Sequence, residues 1–508
     1  AWCGEWPAEW QPSVTKREYK TADWAKSGVV YQIFADRFAR EGAPDFRKKG
    51  RLHADWYDLP DIAEEGQDYR ADDFFGGNAE GVISRLDYLA ELGVTTLYLS
   101  PVFLSSSNHR YDTADYMRAD ELFGGDEGVK KLCAEAHGRG MRVVLDGVFN
   151  HTGADSVYFN KFGNFDSVGA YQSKQSSYYD WYTFYDYPDS YHCWWGSTVV
   201  PTVNKDAKGF RSLVLGKGGV IDKWTKAGAD GWRLDVVDEL PTGFTEELCA
   251  KIRRADKDAL VIGEVWEDAS DKVSYGTWRP YFMGDELDGV MNYPFRRAIF
   301  DLIMKGDRDG FRDAVTLIAE HYPKESMDVC FTLIGSHDTV RALTALSGAE
   351  APYSKAERRT YRLSDKYYAF AKLRLKAAAI LQYTLPGVPC VYYGDEAGVQ
   401  GFEDPLNRAT YPWGREDDDL VGHYRALGEL RRRNANALRG TLRFLDDSDL
   451  TVFERVSEDG KDVLRTYYNP CFHTIYRDVN ALDAFTGDAV DTLAIPPLSA
   501  CAVAYSLN

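Results

Sequence analysis

Gly231-Trp232-Arg233-Leu234-Asp235-Val236 decides how the 508-residue chain is read. Apolar residues alternate with two charges, the period of a β-strand. Arg233 and Asp235 therefore share one face, and Trp232, Leu234 and Val236 the other. Two opposite charges on an inward face are either a structural ion pair or a carboxylate held ionised for attack. Outward from this stretch, short apolar runs recur at 29–34, 95–99, 142–148, 260–265, 289–292, 330–334 and 388–393. Between them lie segments with helical apolar spacing, such as 81–92, 128–138, 245–255 and 367–383.

Eight strands alternating with helices predict an α/β chain folded as a parallel (β/α)8 TIM barrel. The gap after the third strand is too long for one helical unit. It holds a segment rich in Tyr, Trp, Asp and Ser, then a helix near 207–227, and reads as an inserted domain. Beyond Leu430 the pattern changes to short alternating runs at 442–445, 450–456, 463–468 and 500–506, with turn residues such as Glu458-Asp459-Gly460 between them. The expected organisation is barrel over 1–151, insertion over 152–205, barrel again over 206–438, and a C-terminal antiparallel β-sandwich over 439–508.

The formal charge of −19 comes from 60 basic and 79 acidic residues. A surface that acidic repels phosphate backbones and anionic membranes, so neither nucleic acid nor membrane is an expected partner. Aromatic residues make up 14%, including 33 Tyr and 13 Trp. From Tyr178 to Trp195, ten of eighteen residues are aromatic, as suits a small-domain core, stacking platforms for sugars, or both. No apolar run reaches the roughly 18 residues of a membrane span. The nearest, 377–393, is broken by Gln382, Pro386 and Pro389. The first residue is Ala, without a basic-then-apolar leader behind it, which suits a processed or excised chain. The eight cysteines have no metal spacing and read mostly as buried thiols, favouring a reducing compartment and a cytoplasmic over a secreted location.

Reacting groups of such a barrel sit at the C-terminal ends of its strands. Besides Asp235, Glu264 ends an apolar run beside Trp266. Apolar surroundings help a carboxyl keep its proton, as a general acid must. The third strand ends in Asp146-Gly147-Val148-Phe149-Asn150-His151, and the seventh in Ile334-Gly335-Ser336-His337-Asp338-Thr339. No His-x-His or His-x-x-Glu-His spacing accompanies them, which disfavours zinc. Absence of a glycine-rich phosphate loop disfavours phosphoryl transfer. Carboxylates converging with an Arg and two His suit glycoside hydrolysis, in which one protonates the leaving oxygen and another attacks the anomeric carbon.

These four strand ends, in this order and with these gaps, resemble the four signature regions of the α-amylase family, glycoside hydrolase family 13. The resemblance runs from about Val29 to Tyr505. It implies that Asp235 is the nucleophile, Glu264 the acid/base and Asp338 the transition-state stabiliser. It implies that His151, Arg233 and His337 hold the sugar in the cleavage subsite. The loop Ser107-Asn108-His109-Arg110-Tyr111-Asp112-Thr113 is similar to one in the neopullulanase and cyclomaltodextrinase branch, where Tyr111 would stack on that sugar. Tyr31 to Phe38, Asp73-Phe74-Phe75-Gly76-Gly77 and, loosely, Val200-Pro201-Thr202-Val203-Asn204 fit the same branch. Asp404-Pro405 and Arg408 look like the pair that grips the next sugar. Family members work with retention, so Asp235 and Glu264 should lie about 5 Å apart.

The implied activity is cleavage of α-1,4-glucosidic bonds in starch, maltooligosaccharides or pullulan. The alternatives are an α-glucan transferase, an exo-acting α-glucosidase, or a non-catalytic glucan-binding protein on the same fold. The implied partner is the α-glucan itself. Only 28 residues precede the first strand, where that branch carries an N-terminal β-domain that often builds a dimer, so a monomer is expected. No cofactor is required, and calcium is left open. Asn150 matches a calcium ligand of the family. Glu239, however, stands where many members place a His whose carbonyl binds calcium, and Arg40-Glu41-Gly42-Ala43 replaces an Asn/Asp-rich calcium loop.

Overall fold

The computed structural model describes residues 20–63 and 69–506. Eight parallel strands close into a barrel: β1 (Val30–Ile33), β2 (Thr96–Leu99), β3 (Arg142–Gly147), β4 (Gly231–Leu234), β5 (Leu260–Gly263), β6 (Gly289–Asn292), β7 (Phe331–Leu333) and β8 (Val388–Tyr392). Each pairs with its sequence neighbours, and β8 closes on β1. All eight expected runs are strands, with each end at the expected limit or one or two residues inside it. Both strand faces are buried, which is why they read as near-continuous apolar runs. Val30, Tyr98, Val144, Ile262, Met291, Phe331 and Cys390 fill the interior, and Ala22, Trp24 and Ala25 plug its floor. Trp232 and Leu234 of β4 face outward into the main core, leaving Arg233 inside.

Two expected helices are each two helices. The 81–92 segment is Ala79–Ile83 followed by Leu86–Glu91. The segment near 207–227 is Lys208–Leu215 and Val220–Ala227, separated by a glycine-rich turn with Gly218 at φ +74°. The insertion between β3 and β4 carries a small hairpin, Phe184–Asp186 with Ser190–Tyr191. In its aromatic run Trp181, Tyr182 and Tyr191 are buried against Tyr158 and Phe159, whereas Trp194 and Trp195 at its end face the barrel mouth.

The C-terminal unit is antiparallel, with strands β9 (Thr441–Leu445), β10 (Thr451–Val456), β11 (Asp462–Tyr468), β12 (Ile475–Asp483), β13 (Ala489–Ile495) and β14 (Ala500–Ser506). Hydrogen bonds join them in the order β9-β10-β11-β14-β12-β13. Leu464 and Ala502 pack on Leu430 and Leu438 of the barrel's last helices. Val452, Tyr467, Ile475, Leu493 and Val503 form a second apolar layer.

None of the seven described cysteines is paired, and four of them are buried; Cys3 lies outside the described residues. No helix among the described residues is long and apolar enough to cross a membrane.

Arg341 ties the loop after β8 to the rest of the rim. Fully buried, it donates to the Asn407 carbonyl at 2.7 Å and to the Tyr393 carbonyl, and it pairs with Asp395 at 3.2 Å. Burial pushes the Asp395 carboxyl up to about 6 against the pull of Arg341. Arg341→Met is expected to cost about 3–5 kcal/mol, because it strands a buried carboxylate and two carbonyls. The urea midpoint reads this directly; a midpoint equal to wild type would remove Arg341 from that role.

Candidate active site

Strand register brings the key carboxyls together. Arg233 of β4 pairs with Asp146 of β3, and Leu234 with Gly263 of β5. Asp235 and Glu264 each stand one residue beyond that second pair. They leave adjacent strands at the same level, and adjacent strands lie about 4.8 Å apart. Both carboxyls reach one guanidinium: Asp235 Oδ1 lies 2.8 Å from Arg233 Nη1, and Glu264 Oε2 lies 2.9 Å from Nη2. Asp146 takes Nη1 as well, at 2.8 and 3.0 Å.

One cation thus serves three carboxyls in a buried setting. Burial pushes Asp235 well above the usual carboxylate range; Arg233 pulls it down, and Glu264 and Asp146 push it up again. The sequence pattern suggested a private Arg233–Asp235 pair. Burial is the largest push on Asp235, and Arg233 divides its opposing pull among three carboxyls. Protons of such a cluster belong to the group rather than to one member. Glu264 is fixed further: its Oε2 accepts from the Val236 amide at 2.9 Å and its Oε1 from Trp266 Nε1 at 3.1 Å. Trp266 is itself stacked on Tyr293, with ring centroids 3.8 Å apart.

Val236 departs from strand alternation. Its φ of +37° and ψ of +48° put a β-branched residue in the left-handed region, at a cost of about 1–3 kcal/mol. The turn ends β4 immediately after Asp235 and brings Val236 to the cleft instead of the outer face.

Tyr111, His151, Asp235, Glu264, His337, Asp338, Asp404 and Arg408 all line one cavity of about 990 Å³ at the barrel mouth. Arg233, the remaining expected site residue, is fully buried beneath it. The Tyr111 hydroxyl donates to Asp146 Oδ2 at 2.9 Å, and its ring stacks on His337, interplanar angle 6°. Burial, then Arg408 and Arg233, hold His337 well below the ordinary histidine value. A neutral ring fits its partners, accepting at Nδ1 from Gln32 Nε2 (2.8 Å) and donating at Nε2 to the Tyr111 oxygen (2.6 Å). His151 is also neutral, pushed down to about 3 by burial and the charge of Lys205. Asp338 follows His337, its Oδ2 3.3 Å from the ring. Arg408 pairs with Asp404 at 2.9 Å and donates to the His337 carbonyl.

Trp194 and Trp195, from the run read as stacking platforms, line the same cavity, whereas Glu239 and Tyr275 beside them were not placed in the site from sequence. Glu239 Oε1 accepts from Trp194 Nε1 (3.0 Å), Trp195 Nε1 (2.8 Å) and the Tyr275 hydroxyl (2.9 Å). Trp195 is 82% exposed, with φ +49°. Tyr275 sits at φ +51° in the turn of a hairpin, Lys272–Ser274 with Thr277–Arg279, followed by Gly276 at φ +74°. A glycine after one residue between two short alternating runs is a hairpin signal in sequence; nothing local linked it to Glu239.

Two places bring together side chains of the kind that bind cations. His53, Asp61 and Asp73 bring their ligand atoms within 4.8 Å of one another. Arg51 already lies 3.0 Å from His53 and 2.7 Å from Asp61, and Arg37 3.3 Å from Asp73, so guanidinium groups supply the positive charge. At Asn150, both oxygens accept from Lys205 Nζ. That donor set does not fit calcium.

Residues 32–463 match the family described as "Alpha amylase, catalytic domain". An amylopullulanase of Thermoanaerobacter thermohydrosulfuricus is 37% identical over 511 residues, 91% of this chain and 33% of that protein. Neopullulanase 2 of Thermoactinomyces vulgaris is 36% identical over 456 residues, 87% of this chain and 69% of that protein. The ligand-free cyclic α-maltosyl-(1→6)-maltose hydrolase from Arthrobacter globiformis superposes with a TM-score of 0.76 at 27% identity, covering 96% of this chain and all of that one. The chain spans about a third of the length of the amylopullulanases it matches. It belongs to the α-amylase family, glycoside hydrolase family 13.

Proposed function

We propose that the chain is a retaining glycoside hydrolase that cleaves α-1,4-glucosidic bonds in starch, maltooligosaccharides or pullulan. The observation carrying this reading is the pair Asp235 and Glu264, set at one level on adjacent strands and sharing Arg233 beneath an open cleft. Relatives named amylopullulanase and neopullulanase support pullulan among the substrates.

The steps follow from the residues. Glu264 gives its proton to the glycosidic oxygen as Asp235 Oδ attacks the anomeric carbon from the opposite face. The carbon–oxygen bond breaks, the shortened glucan leaves with the proton, and a glycosyl ester forms on Asp235. Glu264, now a carboxylate, takes a proton from water. The water oxygen bonds to the anomeric carbon, and the ester bond breaks to return Asp235 as a carboxylate. Tyr111 lies under the sugar, and Asp338, His151 and His337 meet its hydroxyls. Asp404 and Arg408 hold the neighbouring ring. Two inversions give retention, so NMR of fresh maltooligosaccharide products should show the α-anomer first. The β-anomer first would end the reading.

A glucan transferase is the second reading. The aromatic wall beside Glu264 can hold an acceptor sugar in place of water. Products longer than the starting oligosaccharide at high substrate concentration would favour it. Starch, pullulan and cyclodextrin digested side by side separate the substrate classes, panose from pullulan marking neopullulanase-like action. The seven described thiols, unpaired and four of them buried, favour a reducing compartment.

A further inference from the structure

Asn150 and residue 239 are two of the positions at which the family resemblance would seat calcium; Lys205 stands on the oxygens of the first, and Glu239 occupies the second. Lys205 is 6% exposed. Its ammonium donates to the Asn150 backbone carbonyl at 2.9 Å and to the Asn150 side-chain Oδ1. Those are the two oxygens this residue could offer a hard cation. Asn150 Nδ2 points the other way and donates to Glu239 Oε2 at 3.0 Å. Glu239 is close enough for its negative charge to act on Lys205. Its other oxygen gathers Trp194, Trp195 and Tyr275. A continuous set of polar contacts therefore runs from a buried ammonium to two exposed rings, both on left-handed backbone. Residues of that conformation persist only where their surroundings hold them.

We propose that the Lys205 ammonium replaces a bound calcium ion and, through Asn150 and Glu239, positions the aromatic wall that receives the sugar beyond the scissile bond. The second half rests on the glucan-cleaving reading; the first does not. An ammonium and a divalent cation compete for the same Asn150 oxygens. Unlike a bound ion, a lysine of the chain cannot dissociate or be chelated.

The test uses the full chain at pH 6, below the value of about 7 to which burial brings Lys205. Wild type should show the same Tm and the same kcat/KM on maltopentaose in EDTA and in added calcium. Lys205→Met should lose about tenfold in kcat/KM on maltopentaose, mainly through KM, with less than about a twofold change on 4-nitrophenyl α-maltoside, which presents no sugar to that wall. Methylammonium or calcium added to Lys205→Ala should raise its Tm and recover part of the loss. Two results would overturn the proposal. One is a wild-type Tm that falls in EDTA and returns with calcium, a response abolished in Asn150→Ala. The other is a Lys205→Met protein with wild-type Tm and wild-type KM on maltopentaose. Should the Lys205 variants not fold, the wild-type calcium comparison decides. Wild type that cleaves neither substrate would sink the functional reading, while the Tm comparisons would still judge Lys205.

Discussion

Asp235→Asn is expected to lower kcat on maltooligosaccharides about 10⁴-fold, the scale of losing a group that acts covalently. The amide has nearly the shape of the carboxylate and can still accept from Arg233 Nη1, which lies 2.8 Å from Asp235 Oδ1. It cannot form the glycosyl ester. KM should stay within about threefold, because Tyr111, His337, Asp404 and Arg408 line the cavity from other segments and are unchanged. Mass spectrometry of wild type with a slow substrate should place the sugar on the peptide carrying Asp235, and the variant should show none. A variant turning over at wild-type rate would remove Asp235 from the chemistry. Stability should move the opposite way. Burial raises Asp235 in the folded chain, so its ionised form opposes folding once pH exceeds the unfolded carboxylate value of about 3.9. Stability from that group is therefore present at low pH and lost as pH rises through its folded value. Asp235→Asn should melt higher than wild type at pH 7, with the gap closing toward pH 4.

Most of this site is legible in the sequence because each barrel strand delivers its chemistry within a few residues of its own apolar run. Arg233 and Asp235, Glu264, and His337 with Asp338 sit beside β4, β5 and β7, whose runs are buried on both faces. What was missed lacks that local coupling. β12 buries only Ile475 and Val479 and β13 only Leu493 and Ile495, and β12 carries a register shift between Asp478 and Ala481 with Asn480 at φ +46°, so neither forms an apolar run. Alternation placed Val236 outward, and the left-handed turn after Asp235 overrides it. Glu239, Trp195 and Tyr275 come from three separate segments and meet only through tertiary folding. Lys205 directly follows the stretch 200–204 that resembles a family signature, but its ammonium reaches Asn150 only through the tertiary fold.

Glu264→Gln should separate the two chemical steps by leaving group. On maltooligosaccharides kcat should fall about 10²–10⁴-fold, the usual worth of general acid catalysis. On α-maltosyl fluoride, whose leaving group needs no proton, the first step should survive. The second step then lacks its base, so the glycosyl ester on Asp235 should accumulate and be visible by mass spectrometry. The local structure permits the comparison. A glutamine oxygen can keep the contact with the Val236 amide, 2.9 Å from Oε2, but its NH2 then faces Trp266 Nε1, which donates to Oε1 at 3.1 Å. Losing that one acceptor should cost about 1 kcal/mol, too little to unfold the chain. Asp235→Asn offers no such distinction, because both substrates need the nucleophile. Equal losses on fluoride and on glucan in Glu264→Gln, with no trapped ester, would mean that the proton comes from another group. Asp338, in the same cavity, would then be the carboxyl to test.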